Sequence, residues 1–556
     1  MSTTADIAAA TDSIGGPNPI VGFRRKDLTD SVGSVLAEAA RHPMHTAGGL
    51  AHLAKAAVDA FRGRTPFQPA PKDRRFADPA WSENFVYRTL LQLYLAADNE
   101  LETWVDGTTL SDIDRERVRF VLSLALDALA PSNLPLNPLA VKRFVDTGGG
   151  SAVSGVRQLV SDLRRNGGMP SQVDTEQFTV GDNVASTEGA VVFRNEVLEL
   201  IQYTPRTEQV HERPLVIAPP QINKFYVFDL SPEKSLVRYA LDGGQQVFMI
   251  SWRNPTKEHR DWDLAAYLAA AEEAIEAVTA ITGSPDVNLL GACSGGMVSV
   301  SLAAYLAARG KPLINALSLF VSVFDTAEDR TLLGTFASEE AFAAAKRRSH
   351  VRGVLDGREL GRMFSMLRPN DLIWSYWVNN YLLGKKPPAF DVLYWNNDTT
   401  RLPAALHGQF IDIYRDNLLA KPGGLVIDGT PIELGQITAD AFVIAGTTDH
   451  ITPWDACYRS SLRLTGDVEF VLSNSGHIQS ILNPPGNPKA THFRNPRRSA
   501  TAKEWQDGAE RVPGSWWPRW LEWLADRSGA HTTAPAKLGN RRYAPLEQAP
   551  GSYVRG

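Results

Sequence analysis

Cys293 stands at the centre of Gly291-Ala292-Cys293-Ser294-Gly295. The pattern is Gly-x-nucleophile-x-Gly, the nucleophile elbow, with cysteine where serine is more usual. Val287, Leu289 and Leu290 ahead of it suit a buried strand, and residues 299–308 behind it suit a helix. Gly291 and Gly295 remove side chains where a sharp strand-to-helix turn leaves no room for them. Such a turn lifts the sulfur above the sheet and onto a helix N-terminus, where the dipole favours a thiolate. The competing reading is a buried core thiol, which is what most free cysteines are. Strand, glycines and helix together favour the elbow.

A thiol nucleophile needs a base, and the base needs an orienting acid. On an elbow-bearing sheet the acid follows a late strand and the histidine follows the last one. Residues 441–445 read as a strand running into Gly446-Thr447-Thr448-Asp449-His450, and residues 468–472 as a strand running into Ser473-Asn474-Ser475-Gly476-His477. Asp449 and His477 are therefore the expected acid and base. His450 is the rival histidine, ranked as a structural residue or one that supports the triad from behind, because it neighbours the acid in one loop. Asp325, after an earlier strand, is the alternative acid. His407 is read as a pocket residue without a chemical role, and Cys457 as core packing.

The oxyanion needs two backbone donors. One is expected to be the N–H of Ser294, the residue after the nucleophile. The other is expected from the loop after strand 214–218. Pro219 and Pro220 have no N–H to give, which leaves Gln221 and Ile222 ahead of Asn223, with Ile222 preferred. A cysteine at this elbow forms a thioester. Exchange with a thioester donor such as an acyl-CoA is then near thermoneutral, and onward transfer to a hydroxyl runs downhill. The residue type thus points to acyl transfer from thioesters rather than plain ester hydrolysis.

The elements that must hold these residues follow from periodicity. Up to about residue 180 the chain reads as mainly helical, with runs over 31–62, 85–104 and 112–129, and with residues 1–20 small, polar and disordered. Leu50, Leu53, Ala54, Ala57, Val58 and Phe61 form one apolar stripe at helical spacing. It is expected to pack on its own domain, the alternative being docking on an apolar particle. From Gly189 onward strands over 190–193, 197–201, 214–218, 246–252, 287–290 and 316–323 alternate with helices, among them 264–281 stopped by Gly283. Alternation of this kind implies a parallel sheet covered on both faces. It breaks between about 325 and 440, an aromatic- and Asn-rich stretch read as a cap or lid insert. Residues 516–523 read as a helix with aromatic packing, and the chain beyond Ser528 as polar and irregular. The expected division is a helical domain over 1–180 and an α/β catalytic domain over 181–556 with the cap inserted.

Composition narrows the class. In 556 residues the hydrophobic share is 43% and the charged share 21%, ordinary for a globular chain. The net charge of −5 supplies no basic field for a nucleic acid. Two cysteines in so long a chain point to a reducing compartment. No leader peptide is read at the N-terminus and no run of 18 apolar residues occurs, so the expectation is a cytoplasmic protein without a transmembrane segment. No metal-ligand spacing and no phosphate- or dinucleotide-binding glycine loop is found, so no metal or cofactor is expected.

Longer motifs surround these residues: Pro219-Pro220-Gln221-Ile222-Asn223-Lys224-Phe225-Tyr226, Ser251-Trp252-Arg253-Asn254-Pro255, Asp449-His450-Ile451-Thr452-Pro453-Trp454, and Gly514-Ser515-Trp516-Trp517. With the 291–296 box, 368–374, 394–403, Ser475-Gly476-His477-Ile478 and Asn483-Pro484-Pro485, they make the chain resemble the polyhydroxyalkanoate (PHA) synthases along nearly its whole length. The length and the box resemble most the single-subunit, class II (medium-chain-length) type. The resemblance implies an α/β-hydrolase fold and a polymerase that passes (R)-3-hydroxyacyl groups from CoA thioesters, through a Cys293 acyl-enzyme, to a growing polyester. It further implies no cofactor, a homodimer formed through the cap, and residence on cytoplasmic polyester granules with contact to granule-associated proteins. The alternatives are an acyl-CoA thioesterase or polyester depolymerase using the same Cys-His-Asp triad, and a granule coat protein on an inactive hydrolase fold.

Overall fold

Runs of Val, Ile, Leu and Phe too short for helices pair into one 11-stranded sheet. The computed structural model describes residues 25–71, 73–327, 339–367 and 369–556, so the expectation for residues 1–20 lies outside the described residues. The strands of the large sheet are β1 (Gly189–Arg194), β2 (Leu198–Tyr203), β3 (Leu215–Ala218), β4 (Val247–Trp252), β5 (Val287–Ala292), β6 (Ile314–Phe320), β7 (Asp440–Gly446), β8 (Val468–Ser473), β9 (Thr491–Arg494), β10 (Glu510–Pro513) and β11 (Glu547–Gln548). Their spatial order is β10-β9-β8-β7-β6-β5-β3-β4-β2-β1-β11. The middle strands, from β4 to β8, run parallel, and antiparallel strands flank them on both sides.

Every residue of β2, β3, β4 and β5 is buried, as continuous apolar strands require when both faces are covered. On one face lie the helices Leu264–Thr282 and Ser294–Ala308. The first starts at Asp263, whose side chain accepts from the Ala266 N–H, and stops at Gly283, which takes the left-handed conformation at φ 76°. The other face carries the expected C-terminal aromatic helix, Trp517–Ala525. Trp516, Trp517, Trp520 and Trp523 are all buried, and the Trp520 Nε1–H donates to Ser318 Oγ on β6.

Two sequence expectations need correction. The helical run over 31–62 is two helices, Arg25–Arg41 and Pro43–Phe61. Pro43 has no N–H and cannot continue a helix, but it suits the first turn of the next one. The apolar stripe on the second helix is also only partly covered, since Leu50, Val58 and Phe61 are 64%, 48% and 63% exposed. The face that meets helix Phe85–Asp106 is the one bearing Gly49 and Ala60. Small residues let the backbones approach there, and a methyl group at Gly49 would touch the Glu100 carboxylate. The tail beyond Ser528 is largely irregular, as expected, but two short strands interrupt it. Residues His531–Thr533 pair with Gln209–His211, and β11 closes the sheet beside β1. Strands this short and polar carry no alternation to read.

Between β6 and β7 the expected break in alternation is a mostly helical layer. It contains Glu339–Arg352, Gly357–Leu367, Asp391–Asn397 and Ala404–Asp416, two widened turns at Asn370–Trp374 and Trp377–Leu382, and the hairpin Leu425–Ile427/Thr430–Ile432.

Candidate active site

The turn from β5 into helix Ser294–Ala308 places Cys293 at φ 51°, ψ −122°. For a side chain with a Cβ this is a strained conformation, of the kind that persists at functional sites when its surroundings dictate it. They do so here. A Cβ on Gly291 would strike Ser299 Oγ and the Gly295 carbonyl, and one on Gly295 would strike the carbonyls of Ala218 and Pro219. Only glycine lets β3, β5 and the helix meet this closely. Cys293 is 5% exposed and its N–H donates to the Phe320 carbonyl.

His477 opens the short helix after β8 and Asp449 lies in the loop after β7, so two neighbouring strand ends bring them together. His477 Nδ1 donates to Asp449 Oδ2 at 2.7 Å, and the same ring lines a small cavity together with Cys293. Asp449 is held in turn by the N–H groups of Ile451 and Thr452, both on Oδ1, and by Thr452 Oγ1 at 2.7 Å on Oδ2. Burial penalises charge on all of these groups, but the pairing outweighs it. The His477 pKa is raised by the Asp449 carboxylate and by Cys293. The Asp449 pKa is lowered by His477 and by the donors from Thr452. The arrangement thus favours an ionised acid beside a protonated imidazole.

The remaining sequence candidates separate cleanly. His477, not His450, lines the cavity with Cys293. His407 is fully buried inside the insert with Nδ1 against Ser349 Oγ at 2.8 Å, and it is not among the residues that line the cavity at Cys293. Cys457 is fully buried, its Sγ directed at the Thr452 carbonyl, and burial pushes its thiol pKa up, as a core residue should behave. Asp325 is neither the acid nor a support for the triad. It sits where the insert leaves and rejoins the sheet, bound by Arg463 Nε at 2.8 Å and Asn417 Nδ2 at 3.0 Å, while its own N–H donates to Ser460 Oγ. Burial opposes its charge, yet those donors hold its pKa below the usual carboxylate range. A group depressed in the folded state stabilises above its unfolded pKa of about 4 and loses that contribution as pH falls. Asp325→Asn is expected to cost about 2 kcal/mol at neutral pH. It should also flatten the acid side of the stability curve. Urea unfolding at neutral and acid pH measures both.

The donors for an oxyanion are also in place. Ser294 is the first residue of its helix, where the N–H has no intrahelical acceptor. In the β3 loop the Gln221 N–H is spent on Ser294 Oγ at 3.3 Å. Ile222 lines the cavity with Cys293, and its N–H donates to nothing among the described residues. Thr452, which positions the acid, was not foreseen. The Asp-x-x-Thr spacing after a strand is a local turn signal that could have found it. The cavity over Cys293 has a volume of about 10 Å³ and is walled by Pro220, Ile222, Val227, Ile478 and, from the insert, Trp395. That is room for about one water. Trp395 of the insert thus lies against the space beside the sulfur, which is too small for a larger group.

Comparison with known proteins bears on this geometry. Residues 214–484 match the model of the alpha/beta hydrolase fold family, and residues 72–240 match that described as "Poly-beta-hydroxybutyrate polymerase (PhaC) N-terminus". "Poly(3-hydroxyalkanoate) polymerase 1" of Ectopseudomonas oleovorans is 54% identical over 545 residues, 98% of this chain and 97% of that one. The chain belongs to the poly(3-hydroxyalkanoate) polymerase family. Polymerase 2 of the same organism is 53% identical over 97% of this chain and 96% of its own. "Poly(3-hydroxyalkanoate) polymerase subunit PhaC" of Cupriavidus necator is 42% identical over 87% of this chain and 83% of its own. Members of the poly(3-hydroxyalkanoate) polymerase family are acyltransferases that build polyester, and among the described residues no helix is long and apolar enough to cross a membrane.

Proposed function

We propose that this chain polymerises (R)-3-hydroxyacyl-CoA through a thioester on Cys293, with His477 as acid and base and Asp449 as the group that orients it. The observation that carries the reading is a strained elbow whose cysteine lines one small cavity with an imidazole, the Nδ1 of that imidazole being held by a buried carboxylate. The thiolate of Cys293 attacks the carbonyl carbon of the CoA thioester. Ser294 N–H and Ile222 N–H receive the oxyanion. The C–S bond to CoA breaks, the leaving sulfur takes the proton from His477, and CoA departs as a thiol. His477 is now neutral. Acylation has also removed the anionic sulfur that helped raise its pKa, so it becomes a competent base. It takes the proton of a hydroxyl, from the growing chain or the next monomer. That oxygen attacks the enzyme thioester, an ester forms, and Cys293 leaves as a thiolate beside a protonated His477. The cycle returns to its start with no cofactor.

Residues 325–440 serve in this reading as the cap over an α/β catalytic domain spanning 181–556, with the helices before it as a separate N-terminal domain. The same reading places the enzyme on polyester granules in the cytoplasm. Exposed Leu139, Phe144 and Val145 on helix Pro138–Asp146, and Val153 and Val156 on helix Gly150–Arg165, support an apolar contact of that kind. Homodimerisation through the cap follows the family resemblance. The reaction is tested by supplying short- and medium-chain (R)-3-hydroxyacyl-CoA to purified protein. Polymer and free CoA in equal acyl equivalents are expected. CoA with free hydroxy acid and no polymer would instead identify a thioesterase.

A further inference from the structure

The insert does more than cover the sulfur, because it holds the loop that carries the second oxyanion donor. Thr400 Oγ1 donates to the Gln221 carbonyl at 2.5 Å, and the Thr400 N–H donates to the Ile222 carbonyl at 2.9 Å. Asn223 and Thr399 form an isolated antiparallel bridge, Trp395 Nε1 donates to the Lys224 carbonyl at 2.7 Å, and Tyr226 Oη donates to Asp398 Oδ2 at 2.7 Å. Residues 395–400 are thus stapled along residues 221–226.

The contact from Thr400 Oγ1 has a particular consequence. The Gln221 carbonyl and the Ile222 N–H belong to one peptide plane, and in a trans peptide they point in opposite directions. Fixing the oxygen therefore aims the N–H. The bond from the Thr400 N–H fixes the following plane, so one residue of the insert holds both peptide units around Ile222. Thr400 is 3% exposed and its hydroxyl has no competing role. A hydrogen bond to the carbonyl also polarises the amide and strengthens it as a donor.

We infer that Thr400 is a positioning residue that aims the Ile222 N–H at the oxyanion, so that the second half of the oxyanion hole is complete only while residues 395–400 lie against the β3 loop. Movement of this segment to admit an acyl chain releases the Ile222 amide, and its return reassembles the hole around bound thioester. The inference rests on Cys293 being the nucleophile.

Alkylation of a thiolate by iodoacetamide passes through no oxyanion, whereas acylation by a thioester does. The two reactions at one sulfur therefore separate aiming of the donor from general damage. Thr400→Val keeps the backbone bond to Ile222 and removes the one to Gln221. The expected result is an approximately tenfold lower kcat for CoA release, part of the roughly 10²–10³-fold that loss of a whole oxyanion donor costs. KM, the alkylation rate of Cys293 and the melting temperature should stay close to wild type, and Thr400→Ser should restore kcat. Thr400→Ala gives the same readout if the valine variant does not accumulate. An unchanged kcat, or acylation and alkylation falling together, would overturn the inference. Failure of iodoacetamide to inactivate wild-type enzyme would instead overturn the assignment of Cys293 itself.

Discussion

Cys293→Ala is expected to lower CoA release from (R)-3-hydroxyacyl-CoA by at least roughly 10⁴-fold, because no other group in the site can form the acyl-enzyme. Cys457→Ser is the matched control. Its thiol lies fully buried against the Thr452 carbonyl and touches no substrate path. It should retain the rate while losing about 1–2 kcal/mol of stability, since a more polar hydroxyl replaces a sulfhydryl in a dry site. The contrast is informative because Thr452 also holds Asp449. If the second cysteine mattered through the acid, both variants would lose activity together. A CoA-release assay and a urea titration of each variant decide between these outcomes.

His477→Gln carries the other large effect, a loss of roughly 10³-fold or more. It also changes the shape of the pH profile. In the native pair the pKa of His477 is raised, so the protonated imidazole that supports the thiolate persists above the ordinary histidine range and fails only as pH climbs through that raised value. Thioester loading in wild type should therefore vary little above the ordinary histidine value of about 6.5 and fall only as pH approaches the raised value of about 10. In the glutamine variant the thiol has no cation beside it. Its residual rate should rise steeply with pH across the range where the wild-type rate is flat. Asp449→Asn should lie between the two, because the imidazole keeps a partner at Nδ1 but loses the charge that raises its pKa. Single-turnover loading across this range measures all three.

The parts of this site that were legible from sequence are those whose geometry is local. Gly291 and Gly295 on either side of Cys293 announce an elbow because a Cβ at either glycine would strike the neighbouring backbone of that turn. Asp449 and His477 were found because strand ends recur at the same level of a parallel sheet, so two loops far apart in sequence must converge. Two prolines unable to donate narrow the second donor to Gln221 and Ile222, and the structure adds that the Gln221 N–H is spent on Ser294. What escaped notice is non-local. Thr400 and Trp395 act on the β3 loop from more than 170 positions away, and nothing in the spacing of either segment reveals the pairing. Asp325 misled for a related reason. An acid after a strand end looks the same in sequence whether it meets a histidine or, as here, Arg463. The stripe on Pro43–Phe61 misled because helical spacing finds an apolar face but does not say whether anything covers it.

Trapping the acyl-enzyme tests the central claim most directly. Wild-type protein mixed with (R)-3-hydroxyacyl-CoA, quenched in acid and mapped by peptide mass spectrometry, should carry one hydroxyacyl unit or a short oligomer on the peptide containing Cys293. Neutral hydroxylamine should remove that group, as it does a thioester. Polymer formation with the acyl group on Cys457, on a serine, or on no residue at all would contradict the account.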